Sequence, residues 1–288
     1  MGMQINTNLA ANNTYRNLNA TQNDLSKSLE KLSSGLRINR AADDAAGLAI
    51  SEGLRSQVGG LTVAARNAQD GISVVQTAEG GLTEVHSILQ RVRDLAVQSG
   101  NDSNNADARK AIQTEVASLG KELDRISGST NFNGINLLDS DKSLTFQVGA
   151  GSTAANDQID VKLTDIAAVA TVVKGIAAQA ADPTGAATAA GLGSAGDALK
   201  AIDAIDTQIK NVSTARSELG AVQNRFEHSI ASTNVAKENL TAAQSRIRDV
   251  DMAEEMVKYT RSNVLSQAGT AMLAQANQST QGVLSLLR

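Results

Sequence analysis

The chain has 288 residues, with 26 Lys or Arg against 30 Asp or Glu, so its formal net charge is −4 and provides no basic field to attract nucleic acid. It contains no Cys, which excludes disulfides, thiolate nucleophiles and cysteine-ligated metal sites. Aromatic residues make up only 2% of the chain, which is typical of thin helical bundles and not of a deep globular core.

A long amphipathic helix is predicted for residues 44–99. Apolar or small residues recur there in alternating steps of three and four, from Val58 to Ala96. Asp43 and Asp44 precede this pattern and provide N-capping carboxylates. At 1.5 Å per residue the helix is about 80 Å long, so it requires an equally long partner to bury its apolar seam.

The partner helix is predicted for residues 197–250, where the same spacing continues over a similar length. The two helices are expected to be antiparallel, because the segment between them turns the chain around. That segment contains a shorter helical pattern at 106–127 and two alternating runs, 144–148 and 159–163, that predict a β-hairpin. Residues 164–196 are rich in Ala, Gly and Thr, and we interpret them as a small, surface-exposed connection.

Both ends of the chain are amphipathic and poor in charge. Apolar residues recur through 1–36, the first charged residue is Arg16, and 262–287 contain no charged residue at all. Asp251 and Glu254 resemble a capping box at the start of the last helix. Glutamine and asparagine interrupt this helix too often for a membrane span. The two ends therefore predict a surface that is buried against other chains.

Patterns that could indicate catalysis lack the required context. GLGSAG at 191–196 matches a dinucleotide fingerprint, but an Ala/Thr-rich stretch precedes it where a strand is needed. GAGSTA at 149–154 lies between two predicted strands and is interpreted as a hairpin loop. His86 and His228 are the only histidines, and a catalytic zinc site normally takes three protein ligands. We therefore predict no enzyme activity, no metal and no cofactor.

Several stretches resemble the signatures of bacterial flagellins. They are SSGLRINRAADDAAGLAISEGLR near the N-terminus, and NLTAAQSRIRDVDMAEEM, LSQAGTAMLAQANQ and VLSLLR near the C-terminus. QRVRDLAVQSGN and SGSTNFNGINLL fit the same family between them. The resemblance covers about 1–163 and 197–288. It departs from the family at Gly2, an extra residue before MQIN, and at Thr280, where the family often has proline.

The resemblance implies a mainly α fold: a long antiparallel helical coiled-coil rod built from the N- and C-terminal segments, with a small β-hairpin. Residues 1–43 would form the N-terminal part of an inner coiled-coil domain with its connector, 44–250 the rod domain, and 251–288 the C-terminal part of the inner domain. Larger flagellins insert outer domains where this chain has only 164–196, so the chain resembles a minimal form.

The function implied by the resemblance is that of a structural subunit, which polymerises into the flagellar filament for motility outside the cell. Its partners would be other copies of itself, a flagellar export chaperone and export apparatus, and hook-associated junction and cap proteins. MGMQINTN has no basic or apolar signal region. The resemblance therefore implies export through the flagellar secretion channel, without nucleic-acid binding or membrane insertion.

Two groups of residues are expected to carry contacts. Ordering the uncharged ends costs conformational entropy that burial between subunits repays. The self-assembly residues chosen on this ground are Leu9, Leu18, Leu25, Leu29, Leu32, Val264, Leu265, Met272, Leu273, Val283, Leu284 and Leu287. The resemblance also implies a patch that binds Toll-like receptor 5 of animal hosts, formed by Gln90, Arg91, Leu95 and Glu115, with Arg91 as its main anchor.

Two alternatives remain open at this point. A hook–filament junction protein shares the terminal signatures, but its central region usually resembles QRVRDLAVQ less. A signalling coiled coil, such as a chemoreceptor cytoplasmic domain, also has long antiparallel heptads, but it needs neither charge-free ends nor a central hairpin. Elongation of seeded subunits into long filaments distinguishes a flagellin from both of these alternatives.

Overall fold

A computed structural model describes the backbone of residues 8–178 and 190–286 and the side chains of 8–178 and 190–278. Its elements, in chain order, are α1 (Leu9–Ser34), α2 (Ala45–Ser99), α3 (Ala106–Ser129), β1 (Asn131–Phe132), β2 (Ile135–Asn136), β3 (Ser143–Gln147), α4 (Ala154–Asp157), β4 (Gln158–Lys162), α5 (Ile166–Ala178), α6 (Ala195–Arg248) and α7 (Met252–Leu286). The fold is mainly α, as predicted. None of the helices in this part of the chain has the length and apolar character that a membrane span requires.

Close contacts divide the chain into two units. The smaller unit ends at Val58 and resumes at Glu238, and the larger unit runs from Gly59 to Lys237. Both divisions fall inside the long helices α2 and α6, whereas the expected domain limits, after residues 43 and 250, lie close to the ends of those helices.

The carboxylates of Asp43 and Asp44 cap the start of α2 and the turn before it, as predicted. The Oδ1 atom of Asp44 accepts the Gly47 N–H at 2.8 Å, which satisfies a donor that the first helical turn leaves free. The Asp43 carboxylate accepts the N–H groups of Arg40 and Asn39 at 3.0 and 3.1 Å in the preceding turn. These two hydrogen bonds hold the pKa of Asp43 below its usual range.

Within the larger unit α2 and α6 are antiparallel, because residues near the end of α2 contact residues near the start of α6. Arg93 Nε lies 2.6 Å from Asp206 Oδ1. Glu79, which is earlier in α2, pairs with Arg216, which is later in α6, with 3.5 Å between Oε1 and Nη2. The antiparallel pairing that the apolar spacing predicted is therefore confirmed for this unit.

Phe226 of α6 lies at the centre of the larger unit's core, with 0% of its surface exposed. Its ring meets Phe146 of β3 edge to face, with centroids 5.6 Å apart and planes at 89°. On the other side it contacts α2 at Gly71, where a Cβ atom would lie only 2.7 Å from Phe226 Cζ. Phe226 therefore packs against α2, the long N-terminal helix.

The expectation of a surface connection at 164–196 is wrong for residues 166–178. These residues form α5, which buries Ile166, Val169 and Val173 against the core and packs on α3. The helices approach closely, because a Cβ atom at Gly120 would lie 2.8 Å from Lys174 Cγ. The apolar residues of α5 recur at helical spacing, so they bury a stripe despite the Ala-rich composition.

The predicted β-hairpin is confirmed. β3 and β4 pair antiparallel, with Phe146 opposite Ile159, and the GAGSTA stretch lies in the connection between them. A second hairpin, of two residues per strand, is formed by β1 and β2 in the preceding segment. Its turn has positive φ at Asn133 (49°) and Gly134 (78°), as tight hairpin turns require.

Candidate assembly surface

The two terminal helices α1 and α7 pair with each other in the smaller unit. At one end Asn8 Nδ2 donates to the Ala276 carbonyl oxygen at 3.0 Å. Further along α1, the Leu18 side chain lies over Gly269, where a Cβ atom would be 3.2 Å from Leu18 Cδ1. The pairing is antiparallel, so the expected meeting of the two uncharged ends occurs within one chain.

A buried polar pair lies at the other end of this seam. Ser28 Oγ donates to Glu255 Oε1 at 2.6 Å, and the two residues are only 6% and 5% exposed. Lys258 Nζ lies 3.7 Å from the other carboxylate oxygen. At this end the seam is therefore polar where a core would be apolar, and a polar residue at such a position specifies register at some cost in stability.

The predicted self-assembly residues with described side chains divide into exposed and half-buried positions. Between 52% and 64% of the surface is exposed at Leu9, Leu29, Val264, Leu265 and Met272. Leu18, Leu25, Leu32 and Leu273 are half-buried. Val283, Leu284 and Leu287 lie outside the described side chains. The structure thus leaves apolar side chains uncovered on α1 and α7, and their role in assembly stays a prediction.

The exposed apolar face of α7 begins earlier than the sequence analysis placed it. Met256 and Val257, together with Val264 and Leu265, line a shallow surface depression of about 480 Å³. The absence of charge predicted that this surface starts at residue 262, and the prediction left out Met256 and Val257. The available sequence signal was the spacing of seven residues from Val257 to Val264 and of eight from Met256 to Val264, because residues at these intervals lie on the same helix face.

The residues of the implied receptor patch divide into surface and core. Gln90 is exposed, and Arg91 donates from Nε and Nη2 to Glu115 Oε1 at 2.9 and 2.7 Å, which joins α2 to α3. Leu95 is only 2% exposed and belongs to the core. Its assignment as a contact residue is corrected, because a side chain enclosed by the fold offers no surface to a partner.

The motifs set aside as non-catalytic have local structural roles. Ser194 of the GLGSAG stretch accepts the Asp197 N–H at 3.2 Å and donates to its carboxylate at 2.7 Å, which caps α6. His86 Nε2 lies 3.0 Å from Gln90 Nε2 along α2. Across the residues that the structure describes, no three His, Asp or Glu side chains are grouped to hold a metal ion.

Comparison with known proteins identifies the family. Residues 5–143 match the bacterial flagellin N-terminal helical region and residues 202–287 match the bacterial flagellin C-terminal helical region. A flagellin of Bacillus subtilis is 50% identical over 99% of this chain and 100% of its own length. The chain belongs to the bacterial flagellin family.

A further relative and a solved structure are also similar to this chain. A flagellar filament 33 kDa core protein of Treponema phagedenis is 45% identical over 99% of this chain and 100% of that protein. The crystal structure of Bacillus cereus flagellin is 29% identical, covers 58% of this chain and 88% of that one, and has a TM-score of 0.47. The two family regions matched, 5–143 and 202–287, include α1 to α3 and nearly all of α6 and α7.

Proposed function

We propose that this flagellin-family chain is a structural subunit of the bacterial flagellar filament. The observation that carries the proposal is the α1–α7 pair, which buries one narrow seam and leaves large apolar side chains exposed on both helices. Helices with an exposed apolar face need partners, and a helical array of identical subunits provides them on every copy. Family membership, and a relative named as a flagellar filament core protein, support the same function.

Assembly is coupled to the ordering of the two ends. The described residues of the two ends, 8–36 and 252–286, are mobile in the free subunit and become a paired helical layer in the polymer. The physical reason is that no hydrophobic side chain described in α1 or α7 is fully buried, so their pairing repays little of the conformational entropy lost on ordering. Burial of the exposed face by neighbouring subunits repays the rest. In this scheme 1–43 and 251–288 form an inner coiled-coil domain, and 44–250 form a rod domain.

Seeded polymerisation followed by electron microscopy tests the function. Purified subunits should extend short filament seeds into long filaments, whereas a hook–filament junction protein or a signalling coiled coil should not. Hydrogen exchange tests the coupling. In the monomer, exchange should be fast in 9–34 and 252–286 and slow in 58–96 and 199–237; in the filament all four segments should be slow. Strong protection of both ends in a verified monomer would contradict coupled ordering.

Before assembly, the exposed stripe of α7 is the surface that an export chaperone covers, with the helix lying in an apolar groove. The subunit then reaches the extracellular flagellum through the export apparatus, and it contacts hook-associated junction and cap proteins at the filament ends. Val264→Asp should abolish binding to the purified chaperone in a titration. Val235→Asp, at an exposed site on α6, is the matched control and should leave binding unchanged.

The monomer also binds Toll-like receptor 5 through Gln90, Arg91 and Glu115. The exposed Arg91–Glu115 pair supports this proposal, because arginine is frequently the dominant contact at interfaces. Arg91→Ala should strongly reduce reporter-cell activation by the monomer. Arg125→Ala, which removes a comparable exposed pair with Glu122 on α3, is the control. Equal activity of Arg91→Ala and the parent would mean that the arginine does not anchor a receptor.

A further inference from the structure

The oxidisable sulfur of this chain is confined to its two ends. The chain has no cysteine, and none of its five methionines lies between residues 4 and 251. The larger unit therefore contains no sulfur atom. Met252, Met256 and Met272 are on α7, and the other two methionines lie outside the described residues. A reagent that attacks sulfur thus changes the terminal surface and leaves the core of the larger unit untouched.

The three methionines of α7 are open to solvent in the α1–α7 pair. Between 48% and 63% of the surface is exposed at Met252, Met256 and Met272. Glu255 shows the contrast, because it is only 5% exposed and accepts the hydrogen bond from Ser28 on α1. The thioether side chains are therefore accessible to a small oxidant even when the two helices are paired. The proposed mobility of the two ends in the free subunit increases this access.

The methionines belong to the apolar surface for which burial between subunits is proposed. Met256 lines the depression on α7 together with Val264 and Leu265. Met252 precedes Met256 by four residues and therefore shares its helix face. Met272 follows Leu265 by seven residues and returns to the face of that leucine. A polar atom added to any of these sulfur atoms would lie on a surface that assembly removes from water.

Hydrogen peroxide converts an exposed methionine into methionine sulfoxide. The lone pair of the thioether sulfur attacks one oxygen atom of the peroxide, and the oxygen–oxygen bond breaks. The attacked oxygen stays on the sulfur, and the other oxygen leaves as water with both protons. The sulfur loses two electrons, which the peroxide gains. The product is a polar, chiral side chain that disrupts apolar contacts, and dedicated reductases return it to methionine.

We propose that Met252, Met256 and Met272 form an oxidation-sensitive site on the assembly surface. The inference rests on the proposed assembly function. Hydrogen peroxide oxidises these residues in the free subunit. The oxidised subunit is not added to the filament, because the sulfoxide oxygen loses its water when a neighbouring subunit covers it. Burial shields the same sulfur atoms in subunits that are already assembled, and a methionine sulfoxide reductase makes the free subunit competent again.

Peptide mapping by mass spectrometry tests where the oxidant acts. The three methionines of α7 should react with hydrogen peroxide at least about tenfold more slowly in the filament than in the monomer, because reaction of a buried side chain requires local opening. The melting temperature of the larger unit should be unchanged by the treatment, because no methionine or cysteine lies there. Equal oxidation rates in the monomer and the filament would overturn the proposal.

Seeded elongation tests the consequence of oxidation. Treatment of the monomer with hydrogen peroxide should slow elongation of the parent at least about tenfold, as expected when a polar group is buried without a hydrogen bond. The triple variant Met252→Leu, Met256→Leu and Met272→Leu keeps apolar side chains of similar volume. It should elongate like the untreated parent both before and after treatment. Met3→Leu leaves all three sulfur atoms of α7 in place, so this matched control should be as sensitive as the parent.

Enzymatic repair tests the site without relying on the triple variant. Two methionine sulfoxide reductases, one for each epimer, should restore the elongation rate of the oxidised parent. No recovery after mapping has confirmed the repair would overturn the proposal, and so would a triple variant that peroxide inhibits as strongly as the parent. Failure of the untreated parent to elongate would instead contradict the proposed function, and peptide mapping of the monomer would still decide whether the methionines of α7 are oxidised.

Discussion

Of the 35 buried hydrophobic residues in the described chain, 34 lie in the larger unit and only Ile38 lies in the smaller one. Large exposed hydrophobic residues show the opposite distribution, with ten of fifteen in the smaller unit. Both units contain antiparallel helices with three/four apolar spacing. In the larger unit, α3, α5 and the β3–β4 hairpin add further cover. Apolar spacing alone therefore does not determine burial, since two helices cover only one stripe of each other.

The largest expected effect is a truncation that removes most of α7. Deleting residues 262–288 should abolish elongation from seeds, because it removes the exposed apolar side chains of Val264, Leu265 and Met272. The melting transition of the larger unit should stay at the parent temperature, since its core lies between 59 and 237. Electron microscopy and calorimetry on the same sample measure both. A truncated chain that still elongates would show that the terminal unit is not the assembly surface.

A pair of apolar truncations compares the two units directly. Phe226→Ala should lower the unfolding free energy of the monomer by about 3–5 kcal/mol, because it empties a fully buried site between α2 and β3. Leu265→Ala should change it by less than about 0.5 kcal/mol, because that side chain is already exposed. Denaturant unfolding measures both values. Equal losses would show that the terminal helices contribute to monomer stability as the core does.

Two glycines on α2 sharpen the comparison within one helix. Gly71→Ala should destabilise the monomer by about 1–3 kcal/mol, because the added Cβ atom would overlap the Phe226 ring. Gly80→Ala should stabilise it by about 0.5–1 kcal/mol, because Gly80 has open space around it and alanine is the better helix former. The same denaturant series applies. A stabilising Gly71→Ala would mean that α2 and α6 are further apart than described.

The smallest expected effect is the acid sensitivity of the α2–α6 ion pair. The Arg93 side chain holds the pKa of Asp206 below its ordinary value of 3.8. A depressed pKa in the folded state adds stability above the unfolded value, and this stability disappears as the pH falls through the folded value. The parent should therefore exceed Asp206→Asn in stability at pH 7, and this difference should shrink as the pH falls below 3.8. Arg93→Met and the double variant complete a double-mutant cycle. A coupling free energy of zero at pH 7 would contradict the Arg93–Asp206 ion pair.

Much of the fold followed from local pattern. The start of α2 was predictable from Asp44, and the β3–β4 hairpin from alternation around Phe146. α5 was missed because its Ala-rich, Thr-containing composition was weighed above the apolar spacing from Ile166 to Ile176. The reverse error occurred at Leu95. It was grouped with Arg91 because of the family resemblance, but the helix face that carries both residues borders the core and Leu95 lies on its inner side.

The sequence by itself determined the helices, their caps, the antiparallel partners and the family, because each of these depends on local chemistry or on long stretches of similar residues. Only the tertiary structure decided which apolar stripes are covered, that Arg37 caps α6 from a distant segment, and that Glu255 is buried against Ser28. The physical reason is that burial and long-range hydrogen bonds depend on which elements meet in space. Nothing in the sequence indicates that Ser28 and Glu255, which are 227 positions apart, form a hydrogen bond.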